Sequence, residues 1–223
     1  KLHIEGLDGE REGRLFAGLK KLMYIGPHRV VRQDSQLIGT DQLQSNAENL
    51  AAFLHTFRGK QHRRFETLQR FVLDIFPQFD AINTHSEGNQ VSIEMIDNVT
   101  GNSIPLSHCG TGVEQVLSLA TAVVSSQEGA IVLIDEPHTY LHPIAERQLV
   151  RFLDASHKLR IVISTHSAII MNSVDPKRIV HLSSAPFKAQ ETTSRILVDL
   201  GYLNSDLLIN DRLIFVEGPS DKA

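Results

Sequence analysis

The sequence predicts an α/β fold built on a mostly parallel sheet, and three features carry that prediction. Two short, almost wholly apolar segments, IVLID at 131–135 and IVIST at 161–165, suit strands that are buried on both faces. A helical pattern from about Pro143 to Ser156 lies between them, which gives a β-α-β unit. A further apolar helix, VEQVLSLATAVVSS, follows the glycine-containing loop HCGTG. Together these segments indicate helices layered on a sheet.

The rest of the chain gives a more mixed pattern. LFAGLKKLMYIGP predicts a helix that runs into a strand, and apolar residues at helical spacing predict helix from about 45 to 76, ended by Pro77. VSIEMID alternates apolar and polar residues, as a half-buried strand does, and DNVTGNSI then predicts a turn. Towards the end, RIVHLSS and RLIFVEG predict two further strands.

Composition limits the class of protein. The chain has 223 residues, 41% of them hydrophobic, and a formal net charge of -4, which gives no overall field for nucleic acid. Its one cysteine excludes an internal disulfide, so we expect a reducing, cytoplasmic compartment. No apolar stretch is long enough to span a membrane. The start has no signal-peptide character and the end stops soon after a predicted strand, so we expect truncation at both termini.

The segment IVLIDEP is the strongest single signal for chemistry. Its buried strand delivers Asp135 and Glu136 at the carboxyl end, where ligands bind in open α/β sheets. One carboxylate suits Mg²⁺, usually through water, and the other can orient or deprotonate an attacking water. The alternative is a strand that ends in a solvated turn.

Two further segments favour the chemical interpretation. IVISTHS ends a second predicted strand in His166, whose imidazole suits contact with a γ-phosphate and the attacking water. SHCGTGVEQ lies upstream and opens a helix, so its glycines let backbone N–H groups approach phosphate. Each segment alone has an ordinary structural explanation. Their order and spacing are more specific than any one of them.

These segments resemble the ABC ATPase superfamily over roughly residues 104 to 184. GTGVEQ resembles its signature motif, IVLIDEP its Walker B strand, HTYLHP its D-loop region and STHS its switch histidine. The form is closer to the RecF/SMC-like heads than to transporters. In such heads two copies sandwich ATP, so the resemblance implies that the signature acts in trans, through Gly110, Thr111, Gly112 and Gln115. It likewise assigns Mg²⁺ bound with ATP to Asp135, the attacking water to Glu136 and the γ-phosphate to His166.

A P-loop, GxxxxGK[ST], does not occur in the sequence. We therefore expect it in an N-terminal portion, and we expect the 223 residues alone to bind ATP weakly or not at all. Residues 20–35 resemble the strand and arginine loop of RecF-like and OLD-like heads. In that loop Arg29 either faces nucleotide or the partner head, or is a surface arginine.

The end of the sequence carries a second motif. In LIFVEGPSD a strand ends in Glu217 and Asp221 follows four residues later, a spacing that suits a shared divalent metal. The alternative is an edge strand and a solvated turn. VEGPSD resembles the opening of TOPRIM domains, and an ABC head followed by TOPRIM is the arrangement of OLD (overcoming lysogenization defect) family nucleases. The resemblance implies Mg²⁺ or Mn²⁺ at these two carboxylates.

The predicted organisation has four parts. Residues 1–44 end an N-terminal ATPase lobe, 45–80 form a helical insert, 81–200 form the ABC core, and 201–223 form a connector and the first strand of a truncated TOPRIM domain. The predicted function is the ATP-hydrolysing head of an OLD-type DNA endonuclease in phage or foreign-DNA defence. Its predicted partners are DNA, further copies of itself and a defence partner protein, with no membrane. The alternatives are a RecF/SMC-like repair ATPase without nuclease, and a nucleotide-gated sensor or scaffold.

Overall fold

The computed structural model describes residues 21–32, 35–36, 41–182, 196, 198, 200 and 201. The chain divides into two compact units, one that ends at Thr165 and one that begins at His166. None of the helices in these described ranges is long and apolar enough to cross a membrane.

The first unit contains the parallel sheet that the sequence predicts. Its strands are β1 (Leu22–Ile25), β6 (Ile131–Asp135) and β7 (Arg160–Ser164), in the spatial order β1-β6-β7. Ile25 pairs with Ile134, and Asp135 pairs with Ser164, so the three carboxyl ends lie along one edge. The α/β fold class is therefore confirmed.

Two helices lie next to this sheet in sequence. The apolar segment after the HCGTG loop forms α3 (Thr111–Ser125). Ten residues of this helix are buried, namely Val113, Gln115, Val116, Leu117, Ser118, Leu119, Ala120, Thr121, Ala122 and Val123. A helix that is apolar on nearly all sides must lie within a core, as this one does. The predicted crossover helix between β6 and β7 is α4 (Pro143–Ala155), which has proline in its first turn and buries Leu149 and Leu153.

A second, antiparallel sheet accompanies the parallel one. It contains β2 (Ser35–Gln36), β3 (Phe79–Glu87), β4 (Gln90–Asp97) and β5 (Ser103–Pro105), in the order β2-β4-β3, with β5 also paired with β4. The predicted strand VSIEMID and the turn after it are confirmed. The long strand β3 is not anticipated by the sequence patterns above.

The predicted helical insert is two helices rather than one run. They are α1 (Leu50–Lys60) and α2 (His62–Ile75), and Gln61 between them is non-helical, with φ −134° and ψ 52°. Phe53, Leu54 and Leu68 from these helices belong to the same hydrophobic core as α3 and the parallel sheet.

The second unit is described over a short range. Helix α5 (Ala168–Asn172) is capped by the Ser167 hydroxyl, and a 3-10 turn follows at Pro176–Arg178. The prediction of a strand at RIVHLSS is wrong for its described part, because Arg178 ends that turn and residues 179–182 form no strand. The strand predicted at RLIFVEG lies outside the described residues.

Candidate functional site

The acidic pair lies at the carboxyl edge of the parallel sheet, as the sequence predicts. The Asp135 carboxylate accepts a hydrogen bond from the Ser164 hydroxyl at the end of β7. The Glu136 N–H donates to the Ser164 carbonyl at 2.9 Å, which carries the β6–β7 pairing one residue past the strand. Asp135 and Glu136 are therefore held by the neighbouring strand and not by a free turn.

Glu136 has a backbone conformation that side chains rarely adopt. Its φ is +46°, in the left-handed region, where a non-glycine residue is strained and where functional residues are over-represented. Its carbonyl accepts hydrogen bonds from Arg29 Nη2 at 3.1 Å and from the Thr139 hydroxyl at 2.9 Å. These two bonds stabilise the turn and so set the direction in which the Glu136 side chain leaves the sheet.

A histidine lies beside the Glu136 carboxylate. Glu136 Oε2 is 3.2 Å from His138 Nδ1, and that ring nitrogen is also 3.2 Å from the Thr165 hydroxyl. Both side chains are largely buried, with 20% of His138 and 27% of Glu136 exposed. The Glu136 carboxylate therefore lies against His138 at the ends of β6 and β7, a place where a carboxylate can position a water.

Arg29, whose role the sequence leaves open, is buried at this edge of the sheet. It is 4% exposed, and its guanidinium donates to the carbonyls of Gly26 at 2.8 Å, Asp135 at 3.1 Å and Glu136 at 3.1 Å, and to the Gln115 side chain. Burial lowers the pKa of Arg29 to about 10, and the charge of Asp135 acts in the opposite direction. Arg29 is therefore still protonated at neutral pH. It joins the carboxyl ends of β1 and β6, and it is not a surface arginine.

The signature-like loop presents a glycine turn and a helix N-terminus to solvent. Gly110 precedes α3 with φ +90° and ψ 149°, a conformation open to glycine, and Gly110 and Thr111 are exposed. The N–H groups at the start of the helix favour an anion there. Gln115 differs, because its side chain is 1% exposed and hydrogen-bonded to Arg29. Contact of these residues with nucleotide in trans stays a prediction.

Gly112 packs against the segment that follows the acidic pair. A β-carbon built on Gly112 would lie 3.2 Å from the Tyr140 carbonyl oxygen, which is tighter than an ordinary van der Waals contact. Tyr140 itself has φ +64°. The HTYLHP segment and the first turn of α3 therefore touch through backbone, within one chain.

Replacing Gly112 with alanine tests this contact. Gly59 is the matched control, because it lies in α1 with nothing within 4 Å of an added β-carbon. Gly59→Ala should raise the free energy of unfolding by about 0.5–1 kcal/mol. Gly112→Ala should lower it by about 1 kcal/mol through overpacking. Urea unfolding measures both, and an equal gain in the two variants would contradict the close approach.

The remaining predicted site residues are placed as follows. His166 is exposed and begins the second unit, two residues after the end of β7. Its predicted contact with a γ-phosphate stays a prediction. Glu217 and Asp221, the predicted TOPRIM metal residues, lie outside the described residues.

The fold and this site define the class of protein. This parallel sheet, with an Asp-Glu pair at its carboxyl edge and a buried helix opened by a glycine loop, has the fold of ABC-type P-loop ATPase heads. The family model described as "AAA domain, putative AbiEii toxin, Type IV TA system" matches residues 16–172, and the chain belongs to that family. None of the curated proteins matches the chain.

Solved structures with a similar fold include SMC heads. One, from work on ATP-driven dimerization and DNA-stimulated activation of SMC ATPases, has a TM-score of 0.50 and 13% identity, over 68% of this chain and 99% of the other. A SmcHead structure bound to the C-winged helix domain of ScpA has a TM-score of 0.43 and 13% identity, over 60% of this chain and 42% of the other. The SMC head domain from Thermotoga maritima has a TM-score of 0.37 and 19% identity, over 55% of this chain and 44% of the other. This chain therefore covers less than half the length of the last two of these structures.

Proposed function

We propose that this chain is part of the ATP-hydrolysing head of an OLD-type, metal-dependent DNA endonuclease that acts in phage or foreign-DNA defence. One observation carries the ATPase part, namely the Asp135–Glu136 pair at the carboxyl edge of the sheet, with Glu136 held at φ +46°. The nuclease part rests on the resemblance of VEGPSD to the opening of TOPRIM domains.

In this proposal the chain's own residues prepare a water for attack on the γ-phosphate. Glu136, held by His138, orients that water and accepts its proton, and such general-base help is worth about 100- to 10,000-fold. Asp135 offers a carboxylate beside the Ser164 hydroxyl, an oxygen donor set that fits Mg²⁺. When bound with ATP, the ion would neutralise charge that develops on the phosphates. His166, two residues beyond β7, would contact the γ-phosphate.

We propose that the P-loop of this head lies outside these 223 residues, and one feature of the parallel sheet supports this proposal. One face of the sheet is apolar yet open, since Leu22, Tyr24 and Val162 are 42%, 45% and 57% exposed. The register puts Tyr24 and Val162 in one row across β6. Parallel sheets are almost always covered on both faces. We propose that the P-loop-bearing element packs on this face.

Placing a charge on the open face tests that packing. In the full-length protein, Val162→Asp should lower the free energy of unfolding by at least about 2 kcal/mol, because the carboxylate would be buried without a partner. Val99→Asp is the control, since Val99 is 87% exposed in the turn after β4, and it should change stability by less than about 0.5 kcal/mol. Two equally small effects in urea unfolding would mean that no element covers the face.

We also propose a homodimer, or a larger assembly built from it. Thr111 and Gly110 are exposed at the start of α3, where a partner's ATP would meet helix N–H groups. The first SMC structure compared above comes from work on ATP-driven dimerization, which supports testing the same behaviour here. Light scattering with and without ATP would test it. A protein that stays monomeric with bound ATP would contradict the proposed sandwich.

The defence role and a partner protein draw support from the family description, which names a toxin–antitoxin system. DNA as substrate follows from the OLD resemblance. A RecF/SMC-like repair ATPase without nuclease is the second candidate, and the likeness of fold to SMC heads favours it. An acidic DxD pair after Ala223 would argue against that candidate. A sensor or scaffold head is distinguished by ATP binding with negligible turnover.

A further inference from the structure

A buried pair of side chains links the signature-like helix to the acidic strand end. Arg29 Nε donates to Gln115 Oε1, and Gln115 Nε2 donates to the Arg29 carbonyl at 3.1 Å, so two hydrogen bonds join the residues, one donated by each. The two side chains are 4% and 1% exposed. Gln115 lies four residues, about one helical turn, after Thr111 at the start of α3.

The other side of Arg29 reaches the hydrolytic strand. Its two terminal nitrogens donate to the carbonyls of Gly26, Asp135 and Glu136. A guanidinium is planar, and its donors have a fixed spacing, so the groups it joins cannot move independently. A shift of α3 along its axis would therefore pull on the backbone of Glu136.

Stability alone is a weak reason for this arrangement. Burial lowers the pKa of Arg29 to about 10, so the protein keeps a charge in a place that disfavours it. Buried ionic groups are frequently replaceable by apolar residues with no loss of stability. The carbonyl that receives Arg29 Nη2 belongs to Glu136, whose φ of +46° is a conformation with nearby alternatives.

We propose that Arg29 and Gln115 are positioning residues that couple engagement of the signature loop in trans to the placement of Glu136 in cis. This inference rests on the proposed ATPase function. When the N-terminus of α3 contacts the nucleotide of a partner head, α3 is fixed in one position. Gln115 then holds Arg29 through their hydrogen bonds, and Arg29 holds the Glu136 carbonyl. The Glu136 carboxylate is then aimed at the water. Without the pair, nucleotide still brings the heads together, but Glu136 is not locked in place.

The first test is steady-state ATP turnover by the full-length protein. Gln115→Leu removes both side-chain hydrogen bonds at similar volume, and it should lower kcat at least about tenfold, a change of about 1.4 kcal/mol, with little change in KM. Thr121→Val is the matched control, because Thr121 is also buried in α3 but its hydroxyl bonds only the Leu117 carbonyl of the same helix. It should leave kcat within about twofold.

A second variant and a second readout separate positioning from damage. Arg29→Lys keeps the charge but cannot reach three carbonyls and Gln115 together, so it should show the same loss of kcat. The double variant should be no worse than either single one, since both break one linkage. In a Glu136→Gln background, Arg29→Lys should leave ATP-driven dimerisation unchanged, whereas damage that spreads to α3 would weaken it.

The outcomes distinguish this inference from the function on which it rests. If wild-type turnover depends on Glu136 but Gln115→Leu and Arg29→Lys behave like Thr121→Val, the coupling is wrong and the ATPase proposal stands. Parallel loss of turnover and dimerisation in Arg29→Lys would also overturn the coupling. If the wild-type protein shows no turnover that depends on Glu136, both proposals fall.

Discussion

Replacement of Glu136 by glutamine is expected to reduce ATP turnover by the full-length protein by at least about 100-fold. Glutamine keeps the length and shape of the side chain but cannot accept a proton from water. The neighbouring groups, His138 Nδ1 at 3.2 Å and the turn set by Arg29 and Thr139, remain to hold the amide. ATP binding should persist, because the loss falls on the chemical step, and the ATP-bound dimer should accumulate.

The control for this variant is another carboxylate close in sequence. Glu128 precedes β6, its side chain is 74% exposed, and it pairs with Lys158 at the surface, so Glu128→Gln should leave turnover unchanged. Phosphate release measures turnover, and nucleotide-dependent light scattering measures the dimer. Equal turnover in Glu136→Gln and wild type would remove the role given to the acidic pair. ATP binding with negligible turnover in the wild type itself would favour the sensor or scaffold head.

The acidic strand end could be predicted because its signal is local. Four apolar residues before Asp135 suffice for a buried strand, and the direction of the chain then fixes which edge receives the carboxylates. The helix after Gly110 is equally local, since it has a glycine turn and an apolar run. The conformation of Glu136 could not be predicted, because the Glu136 carbonyl is bound by Arg29, which lies 107 residues away in the chain.

Arg29 and β3 show why other parts of the fold could not be predicted. Arg29 lies 86 residues from Gln115 in sequence, and nothing near an arginine in a loop indicates that three distant acceptors will surround it. Strand β3 (Phe79–Glu87) contains Asn83, His85 and Ser86, so its pattern does not alternate as VSIEMID does. It exists because β4 pairs with it over nearly its whole length. Tertiary pairing therefore decides a strand whose own residues are ambiguous.

Alanine at Glu217 is expected to abolish DNA cleavage by the full-length protein. In the proposed TOPRIM domain Glu217 and Asp221 supply carboxylates to a divalent metal, and such a metal stabilises a phosphoryl transition state by several kcal/mol. Loss of one ligand should therefore lower cleavage by at least about 100-fold, since each 1.4 kcal/mol is a factor of ten. The assay is nicking and linearisation of supercoiled plasmid with Mg²⁺ or Mn²⁺. ATP turnover should be unaffected, because Glu136 belongs to a different site.

Asp206→Ala is the matched control, because Asp206 is another acidic residue of the segment 201–223 and lies outside the VEGPSD motif. It should cleave plasmid as the wild type does. Cleavage that survives in Glu217→Ala would place the nuclease metal elsewhere. A wild-type protein that cuts no plasmid with any metal or nucleotide would favour the repair-ATPase or sensor head. Cleavage by Glu136→Gln, compared with and without ATP, then shows whether the nucleotide-bound dimer activates or restrains the nuclease, because that variant holds ATP without consuming it.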